Sequence, residues 1–197
     1  MTNDITLIVN GQAYNCTPIT EPAAPSAWAF PVGNYEYPPE DWYIATWHDL
    51  TGARNNGYKH TGIDINLDES PWGDIERTLG LHVYALADGV VRYTTQNWSG
   101  CGMIVIEHEH EGKPLYVRYA HITGDMFPSV GTRWYAGNVL GSFDNWKTGD
   151  HLHLDMALDP FSREWLTPSI RWLDPLPILA AHLDPAIVKA MGERSAG

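Results

Sequence analysis

Hydrophobic and polar positions alternate along this chain with a period of two, the spacing of strands, far more often than with the period of a helix. In Gly149-Asp150-His151-Leu152-His153-Leu154-Asp155-Met156 the alternation puts Leu152, Leu154 and Met156 on one face and His151, His153 and Asp155 on the other. Two imidazoles then project side by side, roughly 6–7 Å apart along the strand. The same rule over residues 60–65 points Ile63 and Ile65 inward and gives His60, Gly62 and Asp64 the opposite face. Ile5-Thr6-Leu7-Ile8-Val9 reads as a strand turning at Asn10-Gly11, with residues 13–16 returning. Strands are expected at 83–87 and 89–94 around an Asp88-Gly89 turn, then at 103–108, 114–121 and 139–142. Many short strands at close spacing predict an all-β fold, mainly antiparallel, built as a sandwich or open barrel. No useful helical period occurs before Pro168; residues 177–183 and 185–191 then predict two short helices, the second with Asp184 as N-cap and Pro185 in first position.

Prolines at 18, 22, 25, 31, 38 and 39 interrupt any regular element. The expected organisation is therefore an N-terminal extension over 1–41, a main domain over 42–160, and a C-terminal helical appendage over 161–197 with a frayed end from Arg194. At 197 residues and 44% hydrophobic content the chain is long and apolar enough for a real core. Its net charge of −12 argues against nucleic acid and, more weakly, against anionic membrane surfaces. No run is long enough to insert in a membrane. The start has no basic region and residues 5–9 are too short for a signal core, so general secretory export is not expected from the sequence as written. Two cysteines, Cys16 and Cys101, exclude a four-thiolate zinc site and read as inert thiols. Nine Trp and ten Tyr exceed the needs of most cores this size, and some can line a groove.

Nine histidines supply the candidate chemistry. A catalytic zinc takes three protein ligands from His and carboxylate and keeps a position for water. His60 and Asp64 offer two from one strand, and His151 or His153 the third. No His-Glu-x-x-His helix, Gly-x-Ser-x-Gly elbow or phosphate loop is present.

His60-Thr61-Gly62-Ile63-Asp64 with His151-Leu152-His153 resembles the two metal motifs of the lysostaphin-type (LytM-like) zinc peptidases, cell-wall endopeptidases with a duplicated hybrid motif fold. The text between agrees in order: residues 84–91 resemble the strand–turn–strand after the first motif, 100–108 the Gly-x-Gly strand ending in His, and Tyr119-Ala120-His121-Ile122 the Tyr-x-His-Leu motif. The resemblance covers about residues 52–158. It implies His60, Asp64 and His153 as ligands of one zinc ion, and His121 and His151 as catalytic residues beside it. It implies peptidoglycan or a peptide as substrate and a cell-wall, periplasmic, extracellular or phage-associated setting. With no Glu base, a neutral His must take the water proton, a role given mainly to His151, with His121 stabilising the oxyanion and standing as the alternative base. Protonation of the ligand imidazoles should weaken metal binding below roughly pH 6.

Asp155 shares the face of His153 and is a candidate to orient it by a hydrogen bond, with a solvent-exposed strand aspartate as the alternative. Tyr119 and Arg54 are candidates for the groove lining, and His108 reads as structural. His48, His82, His110 and His182 match no motif and read as surface residues. The sequence departs from the family pattern in a longer insert at 66–82, in Asp144-Asn145-Trp146-Lys147, and in Asp150 where Pro is common; these touch specificity more than metal. A non-catalytic peptidoglycan-binding or regulatory member is the alternative, as is a zinc carboxypeptidase of related chemistry. All five positions are intact, which favours the endopeptidase.

Overall fold

A computed structural model describes residues 5–9, 12–16, 28–34, 36–67, 78–124, 127–143 and 151–193. The Asn10-Gly11 turn, residues 68–77, the loop at 144–150 and the last four residues lie outside them.

Strands β1 (Ile5–Val9) and β2 (Gln12–Cys16) form the antiparallel pair expected at the N-terminus. Ten further strands make one antiparallel sheet: β3 (Tyr43–Thr46), β4 (Gly62–Asn66), β5 (His82–Tyr84), β6 (Gly89–Trp98), β7 (Cys101–His110), β8 (Lys113–Thr123), β9 (Arg133–Trp134), β10 (Val139–Phe143), β11 (Leu152–Ala157) and β12 (Trp172–Leu173). The main path runs β3-β4-β11-β8-β7-β6-β9; β10 pairs with β5 and β8, and β12 with β11. The all-β reading therefore holds; the described residues add a 3-10 turn (Pro39–Asp41) and two longer helices, α1 (Pro175–His182) and α2 (Pro185–Glu193).

The third strand of that path, β11, carries His153, with His151 just before it. β11 lies between β4 and β8, and His153 faces Asp64 on one side and Ala120 on the other. Its alternation sorts the sheet into two faces. Leu152, Leu154 and Met156 join Ile63, Ile65, Ile104, Ile106, Val117 and Tyr119 in the main core, which Ile178, Leu179, Val188 and Met191 of the helices help close. On the other face a smaller cluster gathers Val105, Ala157, Phe161, Ile170 and Trp172. Beside it the histidine side chains stand.

Three local outcomes differ from the sequence reading. Residues 83–87 and 89–94 do not pair as a hairpin. β5 pairs with β10 instead, and beyond it Ala85 exchanges hydrogen bonds with the 137–138 turn while the Leu86 amide donates to the Tyr119 hydroxyl at 2.9 Å. Residues 28–34, placed in the extension from sequence, bond to the main body: Ala29 N donates to Leu86 O at 2.7 Å, Tyr84 N to Pro31 O at 2.9 Å, and Val32 is buried. Helix α1 begins at Pro175, two residues before the expected start, because Asp174-Pro175 repeats the Asp184-Pro185 device; each Asp side chain accepts from the backbone amide two residues on.

Candidate metal centre

His60 enters β4 through a bridge with Asp49, its backbone amide donating to Asp49 O at 2.8 Å and its carbonyl accepting from Asp49 N at 2.9 Å. Asp49 is itself buried. Burial alone would raise its pKa, but the Thr51 hydroxyl and the Arg54, Thr51 and Gly52 amides bond its carboxylate and hold it well below the usual range. The loop before β4 is thus fixed by its own polar groups.

From there three donor atoms converge. His60 Nε2 lies 3.1 Å from Asp64 Oδ1. His153 Nδ1 lies 2.9 Å from Asp64 Oδ1 and 3.0 Å from His60 Nε2. The outer nitrogens are committed elsewhere: His60 Nδ1 donates to Trp47 O at 3.2 Å, and His153 Nε2 donates to Asp155 Oδ2 at 2.7 Å. Those acceptors fix each neutral ring with its proton outside and its lone pair inside. Two lone pairs and a carboxylate oxygen facing one another call for a positive charge between them, a proton or a metal ion. The His153 pKa responds accordingly: burial lowers it, yet the Asp155 and Asp64 carboxylates lift it above the ordinary value. Burial would raise Asp64, but the His151 and His60 imidazoles and the His153 hydrogen bond hold it well below the carboxylate range. Two imidazoles and one carboxylate within 4.8 Å fit a divalent zinc ion and leave it an open position.

Two further histidines stand beside the cluster. His151 Nε2 is 3.6 Å from Asp64 Oδ1, and the His121 ring lies 4.6 Å from that of His151, centroid to centroid. Strict alternation along β8 would send His121 to the core face with Tyr119. The ladder between β7 and β8 prevents this: Met103 faces Ala120 and Gly102 faces Ile122, so His121 is an extra residue with a left-handed φ of 62°. The bulge turns its ring onto the face of Ala120 and His153 and returns Ile122 to the core. His121 is held well below the ordinary histidine value, first by burial and then by the neighbouring His151 and His153, so it is neutral near pH 7.

Asp155 does orient His153, but with a partner the sequence reading missed. Arg118 faces Asp155 across the β8–β11 ladder, and both side chains are fully buried. The guanidinium bonds Asp155 Oδ2 and Glu164 O and lies 4.8 Å from the Trp98 ring centroid, 5.2 Å from Phe161 and 5.5 Å from Trp165. Thr61 adds a hydroxyl to Asp155 Oδ2 at 3.0 Å. Burial would raise the Asp155 pKa, but Arg118 and His153 bring it to about 2. Trp165 also lies 5.8 Å from the His60 ring and 5.0 Å from that of His153, and Trp98 5.5 Å from His121, so two indoles wall the cluster. An arginine inside the apolar run Leu115-Tyr116-Val117-Arg118-Tyr119 was the one sequence signal for this arrangement; nothing local marked Trp98 or Trp165.

The structure corrects one groove candidate. Tyr119 is fully buried on the opposite face, its hydroxyl 3.1 Å from His108 Nε2, while His108 Nδ1 donates to Asp88 O at 3.0 Å. Arg54 instead stacks on Trp47, 4.1 Å from the ring centroid. His48 bonds Thr61 O at 2.7 Å, His82 bonds Ser142 at 3.1 Å, and His110 and His182 meet each other far from the cluster. The departures at 144–147 and Asp150 lie outside the described residues, as does most of the insert at 66–82.

Residues 58–160 match Peptidase family M23. No curated protein sequence matches the chain. Among solved structures, the solution structure of lysostaphin aligns with a TM-score of 0.52 at 21% identity over 73% of this chain and 52% of that one. The antimicrobial peptidase lysostaphin from Staphylococcus simulans aligns at 0.50 and 19% over 78% and 55%. The lytM protein from Ruminococcus gnavus aligns at 0.53 and 21% over 80% and 61%. The likeness to these is one of fold, and it spans about half to three fifths of their own lengths.

Proposed function

The chain belongs to Peptidase family M23, and we propose that it is a zinc endopeptidase that hydrolyses peptide bonds in peptidoglycan stem peptides or cross-bridges. The family is zinc-dependent. His60, Asp64 and His153 would hold the ion, and the observation that carries the reading is their convergence with both outer ring nitrogens already committed. Bound there, zinc supplies Lewis acidity that brings a water's pKa toward neutrality and polarises a carbonyl.

The remaining steps fall to the chain. His151, partly open to solvent beside Asp64, accepts the water proton at Nε2 and later returns it to the leaving amine. His121, kept neutral by burial, donates an N–H to the oxyanion as the carbonyl carbon becomes tetrahedral. Asp155 holds His153 by Nε2 and Arg118 holds Asp155, so the ligand ring cannot turn. Trp98 and Trp165 exclude water from one side of the cluster.

The test is to incubate the zinc-loaded protein with purified sacculi of different cross-link chemistry and identify new termini by mass spectrometry. His151→Ala should retain one zinc and lose turnover by at least about 100-fold. His60→Ala and Asp64→Ala should lose the zinc. A fully active His151→Ala protein would overturn the mechanism, and release of single terminal residues would make the enzyme a carboxypeptidase.

A further inference from the structure

We propose that His110 and His182 form a second metal site, which takes a divalent transition-metal ion, Cu2+ or Ni2+, and clips helix α1 to the end of β7. The two residues come from elements far apart in sequence, the last residue of β7 and the last of α1. His110 Nδ1 and His182 Nε2 lie 2.9 Å apart, with the rings inclined at 72°. In the ion-free protein one ring donates to the other. Two nitrogens each about 2.05 Å from one ion and at right angles to each other are about 2.9 Å apart, so one ion reaches both with little movement of either ring. Two imidazoles so placed bind Ni2+ and Cu2+ most strongly among the divalent first-row ions.

The site is built to hold its rings still. Trp28 stacks on His182 with centroids 4.1 Å apart and planes inclined by only 7°, and its edge contact with His110 is 6.4 Å. The segment bearing Trp28 is itself tied down, since the next residue, Ala29, donates to Leu86 O. Burial and the neighbouring His110 lower the His182 pKa, which keeps the ring in its neutral, metal-binding form near pH 7; the Glu111 charge acts the other way and attracts a cation. Trp28 covers one face of the His182 ring and the rest is open to solvent, so ion and water reach it.

This pair is distinct from the first cluster. Met103 shares a row with Ala120 and hence with His153, and His110 lies seven residues further along β7, roughly 23 Å away. It also lies on the opposite face, in line with Ile104, Ile106 and His108.

Nickel and copper uptake by the full chain, measured by equilibrium dialysis and elemental analysis, tests the proposal in a His60→Ala/His153→Ala background that disables the first cluster. One equivalent should bind, and its affinity should fall at least tenfold in His182→Phe, which keeps a ring for Trp28 to stack on, and in His110→Gln, which keeps a hydrogen-bonding group. With Cu2+ the electron paramagnetic resonance spectrum should show coupling to two equatorial nitrogens, lost in both variants. No uptake in the background protein, or uptake and spectrum unchanged by both substitutions, would overturn it. Neither result bears on the peptidase reading, which the sacculus digest addresses separately.

Discussion

At His121 the backbone adopts a left-handed φ of 62° within a strand, a conformation that costs a residue with a Cβ about 1–2 kcal/mol. That strain is what aims the imidazole at the cluster. His121→Gly should therefore be more stable than His121→Ala by about 1 kcal/mol in urea unfolding, although both lack the ring. An equal or reversed order would mean the bulge is relaxed. Behind the cluster, Arg118 and Asp155 are each uncompensated without the other. Arg118→Met should destabilise the fold by about 3–5 kcal/mol because it strands a buried carboxylate. Asp155→Asn should keep the fold better but weaken zinc affinity by about 10–100-fold in competition with a chelator. Asp64 and His153 were legible because they sit on regular strands, where period two decides the face, while the choice of His153 over His151 came from the resemblance in motif order and His60 stands at a bridge just before β4. The aim of His121 was not, because a bulge is a disagreement between two strands and neither sequence records it alone.

The pairing of β4 with β11 is the element on which the site depends, and it is close. Gly62 sits opposite Asp155, and a Cβ there would lie 2.2 Å from Leu154 O and 2.6 Å from Asp155 Cβ. Backbone on a central strand cannot move aside, so Gly62→Ala should cost about 3 kcal/mol and lower zinc affinity with it, read by thermal unfolding with and without zinc. A mild effect on both would show that the ladder has slack. The glycine of His-x-Gly-x-Asp thus has a steric role that spacing alone does not reveal. At this scale most strands were legible from alternation. The short strands β3, β9 and β12 were missed, and the expected pairing of β5 with β6 failed for a physical reason: a turn signal such as Asp88-Gly89 says where the chain bends, and the Tyr119 hydroxyl and the 137–138 turn decided what the bent chain bonds to. Both helices were legible through their prolines, and the earlier Asp-Pro start of α1 shows that the cap outweighs the apolar pattern in setting the boundary.

Across the molecule, the sheet keeps a core on one face and the charged cluster on the other, and His108 belongs to the core side. It is fully buried between Asp88 O and the Tyr119 hydroxyl, and burial lowers its pKa to about 4. Unfolded, the same imidazole titrates near 6.5. Between those values the unfolded chain binds more protons than the folded one, so the stability this residue contributes above pH 6.5 is lost as pH falls toward 4, by about 3 kcal/mol in all. Urea midpoints measured at pH 7 and pH 5 should therefore converge in His108→Gln relative to the parent; parallel slopes would show that His108 does not control the acid limb. The all-β class was legible at this scale because alternation recurs in almost every segment. The wall over the cluster was not: Trp98 ends β6 and Trp165 follows β11, and only folding brings them together.

The indole and phenyl groups around Arg118 have one more consequence. Phe161, Trp165 and Trp172 follow residue 160, where the family match stops, yet they enclose the cation that steadies a candidate zinc ligand. Grafting residues 58–160 into another scaffold would transfer every candidate ligand and leave that guanidinium facing water. In this chain the exchangeable unit for recombination or chimeric design reaches at least to residue 173, and its inheritance as a block is what keeps the ligand geometry intact.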